Sequence, residues 1–246
     1  MVVTALRGAL GFFSRLPVGT DERAWDAFRA RPLVFPVAGA LVGGLVALPL
    51  ALPVPAPTAA FGFVAWLYLV TGIAHLDGLA DVGDALVVHG GPDDRAAVMK
   101  DTAVGVGGAL AVGLAVTGLG LAGLSLAELP LAALGLVVAA EVGAKAGIGV
   151  LAGLGTARHD GLGARVTEGS GRLAAVGSVA IAAPAAAFTW PHPAAAVGLA
   201  AALATAGGTL ALARRLLGGV SGDVFGASNE LARLAGLHAG VIAWLA

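Results

Sequence analysis

The chain has 246 residues, of which 58% are hydrophobic, only 12% are charged and 39 are glycine. A soluble globular domain carries about 25% charged residues, so this composition excludes that class, and it also excludes an intrinsically disordered chain. The net charge of −1 argues against nucleic acid as a partner. The absence of cysteine excludes disulfides and thiolate metal sites. The class that remains is a multi-pass membrane protein.

The N-terminal segment from Thr4 to Leu16 is typical of an amphipathic helix, with an apolar face formed by Leu6, Leu10, Phe13 and Leu16. Such a helix can lie at the membrane interface, since its apolar face enters the lipid while its polar face meets water. The same segment can equally be the start of the first spanning helix. The sequence leaves both interpretations open.

Seven apolar segments follow, each near the 20 residues needed to cross a hydrocarbon core about 30 Å thick. They cover residues 33–52, 57–74, 104–126, 129–153, 173–190, 194–213 and 228–246. The last is the weakest, because Asn229, Glu230 and Arg233 lie inside it. We predict an all-α, polytopic integral membrane bundle of six or seven transmembrane helices. We predict that residues 1–246 form a single membrane-embedded domain, which packs closely through its glycine and alanine residues.

Positive charge alternates strictly along these segments. The stretch before residue 33 and the connections 75–103, 154–172 and 214–227 contain 12 of the 14 Lys and Arg residues, and the short connections between them contain none. Because cytoplasmic loops retain Lys and Arg, we predict that the N-terminus and the long connections face the cytoplasm across the cell membrane. The chemistry is expected on that side, where most acidic residues also lie.

The most informative stretch is His-Leu-Asp-Gly-Leu-Ala-Asp-Val-Gly-Asp-Ala-Leu at 75–86, which continues the second apolar segment directly. On a helix, Asp77, Asp81 and Asp84 lie on one face. Like charges at this spacing repel, and carboxylate oxygens suit Mg²⁺ or Mn²⁺, so the pattern predicts a metal site. A solvated acidic face at the membrane surface is the alternative. Asp93 and Asp94, beside Pro92, are assigned to a turn outside the site.

Other polar residues on the same side are weaker candidates. Asp101, just before the third apolar segment, is either a helix N-cap or a residue that reaches the metal face, and Lys100 beside it can neutralise a phosphate. The glycine-broken loop from Arg158 to Arg165 fits phosphate binding or simple positive-inside anchoring. Asp223 is either a cap of the last helix or one of several polar residues that continue into a spanning helix and are candidates for function.

Glu141 and Lys145 stand four residues apart inside the fourth apolar segment. This spacing predicts an intramembrane ion pair, although ionisable groups within a membrane are also functional candidates. His75 adjoins the aspartate face, but on a regular helix it points away from Asp77. It is therefore expected to be a hydrogen-bonded substrate or structural group rather than a metal ligand.

Several stretches together resemble the cobalamin-5′-phosphate synthase family, also called adenosylcobinamide-GDP ribazoletransferase. The specific element is His-Leu-Asp-Gly-Leu-Ala-Asp at 75–81. The others match in order along nearly the whole chain: Phe-Phe-Ser-Arg-Leu-Pro-Val at 12–18, Phe-Pro-Val-Ala-Gly at 35–39, Met-Lys-Asp at 99–101, Asp-Gly-Leu-Gly at 160–163 and Gly-Asp-Val-Phe-Gly-Ala at 222–227. Ala103 departs from the family pattern, which usually has a basic residue there.

The resemblance implies a Mg²⁺-dependent transferase of a substituted phosphate group. Its substrates would be adenosylcobinamide-GDP and α-ribazole or its 5′-phosphate, joined with release of GMP. The implied roles are metal binding for Asp77, Asp81 and Asp84, and metal or substrate positioning for Asp101. The resemblance also implies six residues that contact substrate. Arg15, Lys100, Lys145 and Arg158 would contact its phosphates, and His75 and Asp223 would contact other parts of it.

Two other functions compete with this one. A CDP-alcohol phosphotransferase also has an Asp-Gly-x-x-Ala motif, but Asp81 stands where that motif has arginine, and its downstream spaced aspartates are missing. A small-solute transporter would carry ionisable groups near the midplane and paired repeats; only Glu141 and Lys145 lie there, and no repeat is evident. The sequence leaves open whether the chain forms a homo-oligomer.

Overall fold

The computed structural model describes residues 1–19 and 21–246, and within them every regular element is a helix. The helices are α1 (Val2–Phe13), α2 (Glu22–Arg29), α3 (Phe35–Val46), α4 (Ala56–Thr71), α5 (Ala74–Val87), α6 (Pro92–Val98), α7 (Val106–Ala127), α8 (Gly135–Leu154), α9 (Leu162–Glu168), α10 (Arg172–Ala182), α11 (Ala194–Leu212) and α12 (Gly222–Leu245). Short 3₁₀ or π segments extend several of them.

Three helical stretches are long and apolar enough to cross a membrane alone: Val106–Ala127, Leu131–Leu154 and Ala194–Leu217. Three bent pairs, α2 with α3, α4 with α5 and α9 with α10, raise the number to six if each pair is one span. The seven predicted apolar segments coincide with α3, α4, α7, α8, α10, α11 and α12. The prediction of an all-α polytopic bundle is confirmed.

Helix α8 lies at the centre of the bundle, where it packs against α3, α10, α11 and α12. Nearly all of its residues are buried. Glycines allow the close approach: a Cβ added at Gly39 of α3 would lie 2.7 Å from the Glu141 carbonyl oxygen. Because lipid gives no hydrophobic drive for helix association, such backbone contact is what holds membrane helices together.

The N-terminal helix α1 is separate from the first candidate span, which begins at Glu22 if α2 and α3 form one bent span. The interpretation of this segment as the start of that span is therefore wrong. Within the protein, α1 buries Ala5, Gly8, Ala9 and Phe13, while Leu6 and Leu10 are half-buried. Gly8 lets α2 approach closely, since an added Cβ would collide with the Ala24 carbonyl oxygen. The insertion of the apolar face into lipid stays a prediction.

The acidic stretch follows the second apolar segment directly in sequence but forms a separate helix. Helix α4 ends at Thr71, and α5 begins at Ala74 after a bend of 97°. Gly72 stands at the break with a φ of +73°, a left-handed conformation that residues with a Cβ rarely adopt. This single glycine turns the aspartate helix across the bundle.

The connections predicted to share one side meet at one end of the molecule, which we call the basic end. The Arg158 amide donates to the Val220 carbonyl at 2.9 Å, and the Val220 amide donates to the Thr156 carbonyl at 2.8 Å. Helix α6 packs on α5 and on the π segment that follows α11. The segments 75–103, 154–172 and 214–227 therefore form one continuous surface.

Candidate active site

Helices α5 and α12 cross in direct backbone contact at the basic end. A Cβ added at Gly78 would lie 2.7 Å from the Asp223 carbonyl oxygen, and one added at Gly226 would lie 3.0 Å from the Cα of His75. The first turn of α12 therefore rests on the acidic helix. As a result, Asp223 joins Asp77 and Asp81 in what we call the acidic cluster.

The acidic cluster carries negative charge without a cation among the described residues. The charges that act on Asp81 are those of Asp223, Asp77 and Asp84, and no described Lys, Arg or His forms an ion pair with Asp77, Asp81 or Asp223. Asp77 is exposed, and Asp81 and Asp223 are half-buried. The cluster is therefore open to a ligand that brings positive charge.

Asp84 has a structural role that the sequence analysis missed. Its carboxylate is 9% exposed and accepts hydrogen bonds from the amides of Gly105, at 2.7 Å, and Gly108, at 2.8 Å. These are N-terminal donors of α7 that have no partner within the helix. Asp101, considered above as the N-cap, instead accepts from the Ala103 amide in the preceding loop at 3.1 Å. The cap interpretation of Asp101 is wrong, and its role near the metal stays a prediction.

Asp84→Ala should lower the free energy of unfolding by about 1–2 kcal/mol, because two α7 amides lose their acceptor. Thermal unfolding of the purified protein in detergent measures this change. Asp77→Ala is the matched control on the same helix, since Asp77 is exposed and accepts no side-chain hydrogen bond from a described residue. Equal melting temperatures for the two variants would contradict the capping role.

A basic cleft adjoins the acidic cluster and shares Asp223 with it. Lys100, Arg158, His159 and Ser221 line the cleft together with Asp223. The loop pairing with Val220 fixes the backbone of Arg158, and the Ser221 hydroxyl lies 3.2 Å from the Asp223 carboxylate. The structure thus brings together three residues predicted to contact substrate.

The residues around Pro92 differ from the prediction. They form the first turn of α6 rather than an isolated turn, and Asp93 is ion-paired with Arg158. Asp93 therefore contacts a residue of the basic cleft without lining it. Asp94 accepts only from the Gly91 amide, at 2.9 Å, and it remains outside the site.

Two further candidates lie near the start of α5. His75 is 9% exposed, with its ring centroid 6.4 Å from that of Phe12 and 6.1 Å from that of Phe13. It thus faces the interior, while Asp77 faces outward. The Arg15 side chain covers Gly72, whose added Cβ would lie 3.1 Å from the arginine Cδ, so Arg15 stands at the bend before the acidic helix.

Lys145 lies elsewhere, in a buried group that we call the core charge network. It pairs with Glu141 at 2.5 Å, as the spacing predicted, and Arg233 pairs with both Glu141 and Glu230. The Tyr68 hydroxyl donates to Glu230 at 3.2 Å. All four charged side chains are at most 1% exposed, so Lys145 is not brought to the cleft. The sequence analysis missed the partners from α4 and α12.

Among the described residues, no three His, Asp or Glu side chains are already arranged to hold a metal ion. This is compatible with Mg²⁺, which is commonly bound by one or two carboxylates together with waters and substrate phosphates. The arrangement of carboxylates beside Lys and Arg is suited to chemistry on a phosphate.

Comparison with known proteins identifies the family of the chain. A family model described as "Cobalamin-5-phosphate synthase" matches residues 5–241. The chain is 56% identical to the adenosylcobinamide-GDP ribazoletransferase of Halorubrum lacusprofundi, over 99% of each chain. It is 44% identical to that of Haloquadratum walsbyi, over the whole of both chains. It is 39% identical to that of Deinococcus radiodurans, over 94% of this chain and 82% of the relative.

No solved structure matches the chain, so the family rests on sequence and not on a structural neighbour. The matched region includes every helix from α1 to most of α12, and hence both the acidic cluster and the basic cleft. The chain belongs to the cobalamin-5-phosphate synthase family.

Proposed function

We propose that this protein transfers the cobinamide phosphate of adenosylcobinamide-GDP to α-ribazole or α-ribazole 5′-phosphate and releases GMP. A ribose hydroxyl of the acceptor attacks the cobinamide-side phosphorus, a new P–O bond forms, and the P–O bond to GMP breaks. The observation that carries the proposal is the acidic cluster beside the basic cleft, which share Asp223. Phosphoryl transfer relies mainly on positioning and charge neutralisation, and both are available there.

The donor set fits the Mg²⁺ that the family implies. Asp77, Asp81 and Asp223 would hold it, since their oxygen ligands suit this ion and their charges lack a described counterion. Asp84 contributes less than the sequence predicted, because both of its oxygens accept amide hydrogen bonds. When bound, Mg²⁺ neutralises the phosphate charge that develops during transfer.

The protein's own residues supply the other functions. Lys100 and Arg158 orient the phosphates from the cleft, where Arg is suited to paired hydrogen bonds with phosphate oxygens. A carboxylate of the acidic cluster accepts the proton of the attacking hydroxyl. Asp93 holds the Arg158 guanidinium through their ion pair, so it positions this arginine before substrate arrives.

The deciding experiment incubates the purified protein with adenosylcobinamide-GDP, α-ribazole and Mg²⁺, and follows the release of GMP. Release that depends on all three components supports the proposal. Release of CMP from a CDP-alcohol with a second alcohol would instead identify a CDP-alcohol phosphotransferase. Comparing kcat/KM for α-ribazole and its 5′-phosphate identifies the preferred acceptor.

We further propose that the protein lies in the cell membrane with its basic end in the cytoplasm, since that end holds most of the Lys and Arg. The absence of cysteine makes the test clean. An impermeant thiol reagent on intact cells should label Glu128→Cys, at the opposite end, but not Gly90→Cys or Thr156→Cys; all three positions are exposed. Labelling of Gly90→Cys from outside would reverse the orientation.

A further inference from the structure

A cavity of about 380 Å³ opens between α1 and α2, away from the acidic cluster and the basic cleft. It is lined by Gly8, Gly11, Phe12, Asp21, Glu22 and Trp25. We call it the N-terminal cavity. Its volume falls within the range of about 300–1,000 Å³ that is usual for small-molecule sites, and neither the acidic cluster nor the cleft contributes to its lining.

Aromatic side chains form the walls of the N-terminal cavity. The ring centroids of Phe12 and Trp25 are 6.0 Å apart, and Phe28 backs both rings at 4.8 Å and 5.4 Å. Both wall residues are half-buried, so part of each ring remains available. The cavity is therefore suited to a flat ring that stacks on an aromatic face.

The mouth of the N-terminal cavity carries carboxylates. Asp21 accepts from the Ala24 amide at 2.7 Å and pairs with Arg7 at 2.5 Å, and these bonds hold the pKa of Asp21 below its usual value. Glu22 is exposed and forms no ion pair with a described residue. An ionised carboxylate only accepts hydrogen bonds. The ring that fits here must therefore present N–H donors.

We propose that the N-terminal cavity binds the guanine base of the donor nucleotide; this inference rests on the proposed function. Guanine presents two adjacent donors, the N1–H and the 2-amino group, which one carboxylate can accept together. The benzimidazole of the acceptor has no N–H once it is joined to ribose, so carboxylates give it nothing to recognise. Trp25 would stack on either ring, but only guanine can donate hydrogen bonds to Glu22. The cavity therefore favours guanine over benzimidazole.

The position of the cavity is consistent with this assignment. Its wall residue Phe12 lies 6.4 Å, between ring centroids, from His75, and His75 precedes Asp77 by two residues on α5. Arg15 follows Phe12 by three residues and covers the bend at Gly72. Through Phe12, the wall of the N-terminal cavity thus lies beside the first turn of α5, the helix that also carries Asp77 and Asp81.

The test measures inhibition of the transfer reaction by GMP, and direct binding of radiolabelled GMP to the detergent-purified protein. Trp25→Ala should weaken both by about tenfold, as expected for loss of one stacked base, whereas Trp25→Phe should retain most of the affinity. Glu22→Gln should lower the affinity for GMP by about tenfold and reduce the preference for GMP over AMP. The KM for α-ribazole should not change in any of these variants.

Matched controls are Trp190→Ala and Glu128→Gln, because both residues are exposed and lie far along the chain from α1 and α2. Unchanged GMP inhibition in Trp25→Ala and Glu22→Gln, with transfer intact, would overturn the guanine assignment while leaving the proposed function standing. A raised KM for α-ribazole would assign the cavity to the acceptor instead. If the wild type lacked transferase activity, the proposed function would fail. The binding assay with the Trp25 and Glu22 variants would still show whether the cavity binds GMP.

Discussion

Asp81→Asn should slow GMP release by about 100- to 1,000-fold, the size of effect seen when one charge-stabilising group is removed from an active site. Asparagine keeps the shape of aspartate but removes the charge that a cation needs. The melting temperature should stay the same or rise, because Asp81 is half-buried, forms no ion pair with a described residue and lies near the like-charged Asp223, Asp77 and Asp84. Steady-state assays across a Mg²⁺ titration, with melting curves in parallel, measure both effects.

The control for this prediction is Asp94→Asn. Asp94 is exposed, accepts only the Gly91 amide and lies outside the site, so its variant should keep nearly full activity. Asp93 is unsuitable because it holds Arg158. Near-normal GMP release by Asp81→Asn at limiting Mg²⁺ would mean that the acidic cluster is a solvated surface and that the metal lies elsewhere.

The second large effect is expected in the core charge network, which is electrically balanced: Glu141 and Glu230 face Lys145 and Arg233. Glu141→Gln leaves two cations against one carboxylate where water is excluded. Removing one partner of a buried ion pair costs about 3–5 kcal/mol. We expect a marked fall in melting temperature in detergent, or failure to accumulate in the membrane.

A double variant separates charge imbalance from lost packing. Glu141→Gln with Lys145→Gln restores neutrality and leaves the Arg233–Glu230 pair in place. Its loss in the free energy of unfolding should be smaller than the sum of the losses in the two single variants, since the effects of substitutions at interacting residues are not additive. Strict additivity would show that the four charges do not act as one unit.

Much of the fold could be predicted from the sequence, because a membrane requires each span to have a certain length and an apolar composition. The segments 104–126 and 129–153 match the helical stretches Val106–Ala127 and Leu131–Leu154 within two residues at each end. The i, i+4 spacing of Glu141 and Lys145 also predicted their ion pair, because both residues lie on one helix. Local periodicity was enough wherever the partners were close in sequence.

Other features depend on contacts between distant residues, which periodicity cannot reveal. Asp84 caps a helix whose donors lie 21 and 24 residues away, and Arg233 reaches Glu141 across 92 residues. The bend at Gly72 was missed because a glycine between apolar residues also fits a continuous helix. Asp223 was recognised as polar, but only the crossing of α5 and α12 brings it to Asp81.

The contact of Gly78 and Gly226 with the opposite helix fixes how closely α5 and α12 approach. At these two points backbone rests on backbone, so the two helices are already as close as peptide groups allow. A larger residue at either glycine would push the helix axes apart and carry Asp223 away from Asp77 and Asp81. The assembly of the acidic cluster therefore depends on two residues that carry neither charge nor side chain.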